Sequence, residues 1–155
     1  MIRPSTPDDM SALIALAEAI GFEATELDEL SGMLTEYFAG NLGPEHFWVT
    51  DDDNGPVGVA YYAPERMTAG TWNLYLIAIR PDRQGQGRGK ALLRYVEQRL
   101  TARGERLLLV ETSGLDSFES TRAFYHKCGY KEEARIRNFY DLGDDKLVFC
   151  KALAG

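Results

Sequence analysis

Residues Gln84-Gly85-Gln86-Gly87-Arg88-Gly89-Lys90 lie between a predicted strand and a predicted helix, and their types suit the holding of an anion. The first N–H groups of a helix have no partner inside it, and the helix dipole adds partial positive charge there. Glycines let the backbone approach a phosphate with no Cβ in the way. Arg83, Arg88 and Lys90 add positive charge to the same stretch. A purely structural turn with three glycines is the other reading of these residues. Two common phosphate motifs are excluded by position. A P-loop needs Ser or Thr after Gly-Lys and a Gly five residues before the second glycine, but Gly89-Lys90 is followed by Ala91 and the earlier position is Gln84. A dinucleotide fingerprint starting at Gly85 would require Gly at position 90, which is Lys90, and the loop follows the third predicted strand rather than the first.

The elements that must position this loop can be read from periodicity and punctuation. Thr6-Pro7-Asp8-Asp9 marks a helix start, and Met10, Leu13, Ile14, Leu16, Ala17 and Ile20 follow at helical spacing up to Gly21. A second helix opens at Thr25 and carries Leu27, Leu30, Met33, Leu34, Tyr37 and Phe38. Phe47–Thr50 and Val57–Ala63 read as strands joined by a turn over Asp51-Asp52-Asp53-Asn54-Gly55, where Asn-Gly is a hairpin signal. Trp72–Ile79 reads as a buried strand. Lys90–Arg103 follows as a helix with Ala91, Leu92, Val96 and Leu100 inward. Then come a strand at Leu107–Thr112, a helix at Phe118–Lys127, and strands at Ala134–Tyr140 and Lys146–Lys151 around Gly143-Asp144-Asp145.

Composition bounds the function. The 155 residues fit one domain, 1–155, and 45% hydrophobic residues suffice for a real core. The net charge of −7 argues against nucleic-acid or membrane binding. Residues 1–60 carry 12 acids against one base, Arg3, whereas residues 61–155 carry 12 acids against 16 bases. One reading of this split is an acidic wall for a cationic ligand and a basic half for an anionic one. The other is solvated helix faces that happen to be acidic. No apolar run approaches the length of a spanning helix, and the first residues show no apolar signal core, so a cytoplasmic location is expected. Cys128 and Cys150 make neither a CxxC nor a zinc spacing, so no metal is implied and both read as packing residues. Trp48 and Trp72 read as core.

Taken together, these features resemble the GCN5-related N-acetyltransferase (GNAT) superfamily. Gln84-Gly85-Gln86-Gly87-Arg88-Gly89 is similar to its Q/R-x-x-G-x-G/A pyrophosphate loop. Leu76-Ile77-Ala78-Ile79-Arg80-Pro81-Asp82 is similar to the strand exit before that loop. Thr121-Arg122-Ala123-Phe124-Tyr125-His126-Lys127-Cys128-Gly129-Tyr130 is similar to its F-Y-x-x-x-G-F/Y segment, with one helix and one strand between the two motifs. The resemblance covers nearly the whole chain and is densest from about 72 to 151. It implies an α/β fold with a mixed sheet, ordered β-α-α-β-β-β-α-β-α-β-β if a short strand exists at Met1-Ile2-Arg3, with its central strands splayed. It implies acetyl-CoA as the acyl donor and a small-molecule or protein amine as the acceptor.

By that resemblance, backbone groups of Ile77, Ala78 and Ile79 hold the pantetheine arm. Backbone N–H groups around Gly85, Gly87, Arg88, Gly89 and Lys90 hold the pyrophosphate, Gln84 and Gln86 shape the loop, Phe124 packs at the pantetheine end, and Lys127 reaches the adenosine phosphate side. Tyr125 matches the family's general acid. A phenol suits the departing thiolate because it stays protonated near neutral pH and can donate. An ammonium acceptor must lose a proton before attack. Glu111, at a strand end, is the first candidate base and Glu65, after Ala63-Pro64, the second; a water chain with no dedicated residue is an equal reading. His46 and His126 are weaker candidates. The sequence departs from the family where Asn is frequent seven residues before the tyrosine: that position is Phe118, and Ser120 or Thr121 is the candidate substitute for its cofactor hydrogen bond. Arg135–Lys146 resembles an A-R-I-x-x-F-Y…G-D-D-K segment of one bacterial subgroup and reads as a hairpin.

The expected function is acetyl-CoA-dependent N-acetyl transfer through a ternary complex. The alternatives are a non-catalytic acyl-CoA-binding or sensor domain on the same fold and, more distantly, a nucleotide-binding module. The sequence does not fix the oligomeric state; the resemblance allows a homodimer through paired strand edges.

Overall fold

The protein, described from a computed structural model over residues 1–153, has eleven regular elements. They are β1 (Ile2–Pro4), α1 (Met10–Ala19), α2 (Ala24–Phe38), β2 (Phe47–Asp52), β3 (Pro56–Pro64), β4 (Thr71–Ile79), α3 (Arg88–Ala102), β5 (Leu107–Ser113), α4 (Glu119–Lys127), β6 (Lys131–Asp141) and β7 (Asp144–Ala152). The strands form one mixed sheet in the order β1-β2-β3-β4-β5-β7-β6. The β4–β5 pair is parallel, and β1–β2, β2–β3, β5–β7 and β6–β7 are antiparallel. The short first strand is present.

The chain divides into two compact units. Met1–Ala63 with Leu76–Val96 forms one, and Pro64–Tyr75 with the described residues from Glu97 onward the other. The core of the first is built by periodicity. Leu13, Leu16 and Ala17 of α1 and Leu30 and Leu34 of α2 pack with Trp48, Val59, Tyr61, Ala63 and Ala78. Burying each of these leucines contributes about 2 kcal/mol. Strand β3 is buried from Val57 to Ala63, which matches its near-continuous apolar run. Trp48 stacks on Tyr61 at 4.4 Å and 5°.

In the second unit, Trp72 and Leu74 of β4, Leu108 and Val110 of β5, and Leu147 and Phe149 of β7 are buried. Helix α4 joins them through Tyr125, whose ring centroid lies 5.9 Å from that of Phe149. Gly129, with φ +92°, stops α4. The Tyr130 hydroxyl then donates to Glu97 Oε2 at 2.7 Å, and Lys151 donates to Glu97 Oε1 at 3.0 Å and to the Cys128 carbonyl at 2.9 Å.

Several expected boundaries move. A 3₁₀ turn occupies Pro7–Asp9, so the α-helix starts at Met10, because Pro at the first turn accepts either geometry. Another 3₁₀ turn, Asp116–Phe118, precedes α4, which leaves Phe118 outside the helix. Asp51 and Asp52 belong to β2, and the hairpin turn is Asp53-Asn54-Gly55, with φ of +57° at Asn54 and +117° at Gly55. Ala91 is exposed and Leu93 is buried beside Leu92, so the inward stripe of α3 is Leu92, Leu93, Val96 and Leu100. Strand β6 begins at Lys131, three residues earlier than its pattern indicates.

Candidate active site

The glycine loop belongs to the first unit. A 3₁₀ turn at Pro81–Arg83 leaves β4, and α3 starts at Arg88. Gly85 and Gly87 adopt φ of +75° and +79°, left-handed values that favour glycine. A Cβ built on either would meet nothing within 4 Å, so the space above both glycines is open to a ligand. The first bond of α3 runs from Ala91 N–H to the Gly87 carbonyl, so the N–H groups before it lie ahead of the helical ladder. Gln84 Nε2 donates to the Ile79 carbonyl at 3.0 Å and ties the loop to the end of β4. Gln86 Oε1 accepts from Arg88 Nε at 3.4 Å. Lys90 is exposed.

Arg83 and Arg88, which the sequence offers as charges for an anion, are engaged by carboxylates. Arg83 Nη1 donates to Asp53 Oδ2 at 2.5 Å. Arg88 Nη2 donates to the same oxygen at 2.7 Å, and its Nη1 to Asp51 Oδ2 at 3.1 Å. The hydrogen bond from Arg83 is the largest cause holding the Asp53 carboxyl below its ordinary pKa. With both arginines engaged, the backbone N–H donors, the open glycines and the exposed Lys90 are what the loop offers an anion.

The second unit brings the two candidate bases together. Asn73, 1% exposed, donates from Nδ2 to Glu65 Oε1 at 2.9 Å and to Glu111 Oε2 at 3.0 Å. Tyr75 donates its hydroxyl to Glu65 Oε1 at 3.2 Å. Lys146 Nζ, 4.3 Å from the centroid of the Phe139 ring, pairs with Glu111 Oε1 at 3.0 Å. Among the described residues, Asn73 Oδ1 is buried without a hydrogen-bond partner. Sequence reasoning offered Glu65 and Glu111 separately and missed Asn73, Tyr75 and Lys146.

Tyr125 lies on α4 and is 4% exposed. Burial pushes its phenol well above the usual tyrosine pKa, which keeps it protonated and a donor. Phe124 is half-buried, with its ring centroid 5.4 Å from that of Tyr125. Lys127 is exposed, Thr121 half-buried and Ser120 exposed. At the entry to α4, Arg122 Nη1 donates to the Ser113 and Leu115 carbonyls at 2.9 and 2.7 Å, and so braces the turn where the family's asparagine is missing. His46 is committed to the Tyr61 hydroxyl at 2.7 Å, and His126 packs edge-on against Phe149.

Ile77, Ala78 and Ile79 form the end of β4 in the first unit. The β4–β5 register runs from Thr71↔Leu107 to Leu74↔Val110, and this run of three residues lies beyond it. Neither Cys128 nor Cys150 is in a disulfide. Among the described residues no group of His, Cys, Asp and Glu is placed to hold a metal, and no helix is long and apolar enough to cross a membrane.

The family model for the acetyltransferase (GNAT) domain matches residues 43–132. The chain is 30% identical over 109 residues to the ribosomal protein bS18-alanine N-acetyltransferase of Escherichia coli K12, covering 70% of this chain and 71% of that one. A crystal structure from Desulfovibrio desulfuricans, assigned to the GNAT family of acetyltransferases, superposes with a TM-score of 0.93 at 34% identity and covers 99% of both chains. An aminoglycoside 6'-N-acetyltransferase complexed with coenzyme A superposes with a TM-score of 0.79, covering 100% of this chain and 98% of that one. At 18% identity it shares the fold alone.

Proposed function

Since the chain belongs to the GNAT family of acetyltransferases, we propose that it moves an acetyl group from acetyl-CoA to a primary amine by direct transfer in a ternary complex. The observation that carries this reading is the loop Gln84–Gly89, with two left-handed glycines under open space at the start of a 15-residue helix. Backbone donors so placed fit a pyrophosphate. A relative of the same fold is complexed with coenzyme A, which supports the same donor here. The backbone of Ile77, Ala78 and Ile79, beyond the part of β4 that pairs with β5, takes the amide-bearing pantetheine arm. Gln84 and Gln86 shape the loop, Phe124 packs the arm, Lys127 meets the adenosine phosphate side, and Thr121 takes the place of the absent asparagine.

In the reaction a nitrogen–carbon bond forms at the thioester carbonyl and the carbon–sulfur bond breaks. Glu111 takes the proton that the acceptor ammonium must lose. Asn73 and Lys146 fix its two oxygens, so the carboxylate is aimed before the acceptor arrives. Tyr125 gives its proton to the departing thiolate, and burial favours the neutral phenol that makes this donation possible. Glu26, Asp28 and Glu29 stand exposed on α2 and favour a cationic acceptor. The chain acts as one acetyltransferase domain. Two cysteines outside any disulfide suit a reducing cytoplasm. Strand β6, exposed along its length with Ile136, Phe139 and Tyr140 outward, supports pairing of two copies.

The test is thiol release from acetyl-CoA with an alanine-starting peptide, an aminoglycoside and a diamine as acceptors. Tyr125→Phe and Glu111→Gln should each lower kcat at least ~10-fold and leave coenzyme A affinity in place. Wild-type turnover in either variant would remove that residue from the mechanism.

A further inference from the structure

The turn between β2 and β3 is tied to both ends of the glycine loop. A single oxygen, Asp53 Oδ2, accepts from Arg83 at 2.5 Å and from Arg88 at 2.7 Å. Arg83 immediately precedes Gln84, and Arg88 immediately follows Gly87. The four residues between them contain both left-handed glycines of the loop. Behind this contact, Asp51 is buried and holds Arg88 through its other terminal nitrogen at 3.1 Å. A segment with two glycines in four residues has wide conformational freedom unless its ends are fixed. Here one carboxylate fixes both.

We propose that Asp53 is a positioning residue that staples the glycine loop closed, so that its N–H groups converge on an anion before the anion binds. This rests on the reading of the loop as the pyrophosphate site of acetyl-CoA. The two arginines then act as the arms of the staple, and the backbone makes the contact with the ligand.

The proposal has a sign that charge alone would reverse. Asp53 is negative and the pyrophosphate is negative. Removing the carboxylate also frees the Arg83 guanidinium and leaves Arg88 paired with Asp51 alone. Coulombic attraction by itself therefore makes Asp53→Asn bind coenzyme A more tightly. A staple makes it bind more weakly, because the loop regains freedom that binding must remove again.

The experiment is calorimetric titration of coenzyme A into the full chain as wild type, Asp53→Asn and Asp53→Glu. The Asp53 side chain is 38% exposed, so the variants should fold, and the melting temperature without ligand serves as the control. Asp53→Asn should raise Kd about tenfold. Asp53→Glu, which keeps the carboxylate, should recover part of the loss. In the unliganded protein, amide hydrogen exchange over residues 84–89 should speed up in Asp53→Asn. Equal or tighter binding by Asp53→Asn would overturn the staple and leave the loop's assignment standing. A wild type that does not bind coenzyme A would overturn the loop's assignment and the staple with it.

Discussion

Asp9 is 5% exposed, and both its oxygens are taken by Arg3, at 2.7 and 2.8 Å, while the Thr6 N–H adds a third bond at 2.8 Å. The Arg3 hydrogen bond outweighs burial and lowers its pKa from 3.8 to about 2. A carboxyl depressed in the folded state adds stability above its unfolded pKa and loses it as pH falls through the folded one. The contribution, about 2 kcal/mol, is therefore complete above about pH 4 and fades towards pH 2. Asp9→Asn should lower the melting temperature at pH 7 by about 5 °C, and the gap should close near pH 2. A gap unchanged between pH 7 and pH 2 would contradict the pairing. Single residues also show the limit of reading the sequence. Glu65 and Glu111 are legible as strand-end carboxylates. Asn73 is not, because it lies 8 residues from one and 38 from the other and only the sheet register joins them. The same holds for Asp53: it reads as a turn residue, and its bond to Arg83 spans 30 residues.

Among the elements, the loop and α3 make up the proposed donor site in the fewest residues. Gly87 has φ +79°, and a Cβ there meets no neighbour within 4 Å. A side chain at this position thus costs about 1–2 kcal/mol through backbone conformation rather than through a clash. Gly87→Asp adds a negative charge to that cost and should weaken coenzyme A at least ~10-fold in a binding titration. Equal affinity would refute the loop assignment. Elements like this one are legible because glycine spacing and helix starts are local chemistry. Strand β6 is less so: all eleven of its residues are exposed, so burial imposes no alternation, and its first three residues carry no strand pattern. Helix α3 shows another limit, since adjacent Leu92 and Leu93 are both buried and a single stripe cannot be told from sequence.

For the whole molecule, the order of elements is written in the chain, but their arrangement is not. Strand β7 pairs with both β5 and β6, and β4 and β5 run parallel across an intervening helix. These ladders join distant residues, so only the family resemblance supplies them. The central claim, that this chain binds an acyl-CoA donor through its glycine loop, has a global readout. A ligand that binds only the folded state raises stability by about 2.7 kcal/mol at one hundred times its Kd. The direct measurement is thermal unfolding with acetyl-CoA, coenzyme A and ATP at matched concentrations. Acetyl-CoA and coenzyme A should each raise the melting temperature by several degrees, ~5–10 °C at that saturation, and ATP should leave it unchanged. No rise with either CoA species would contradict the claim.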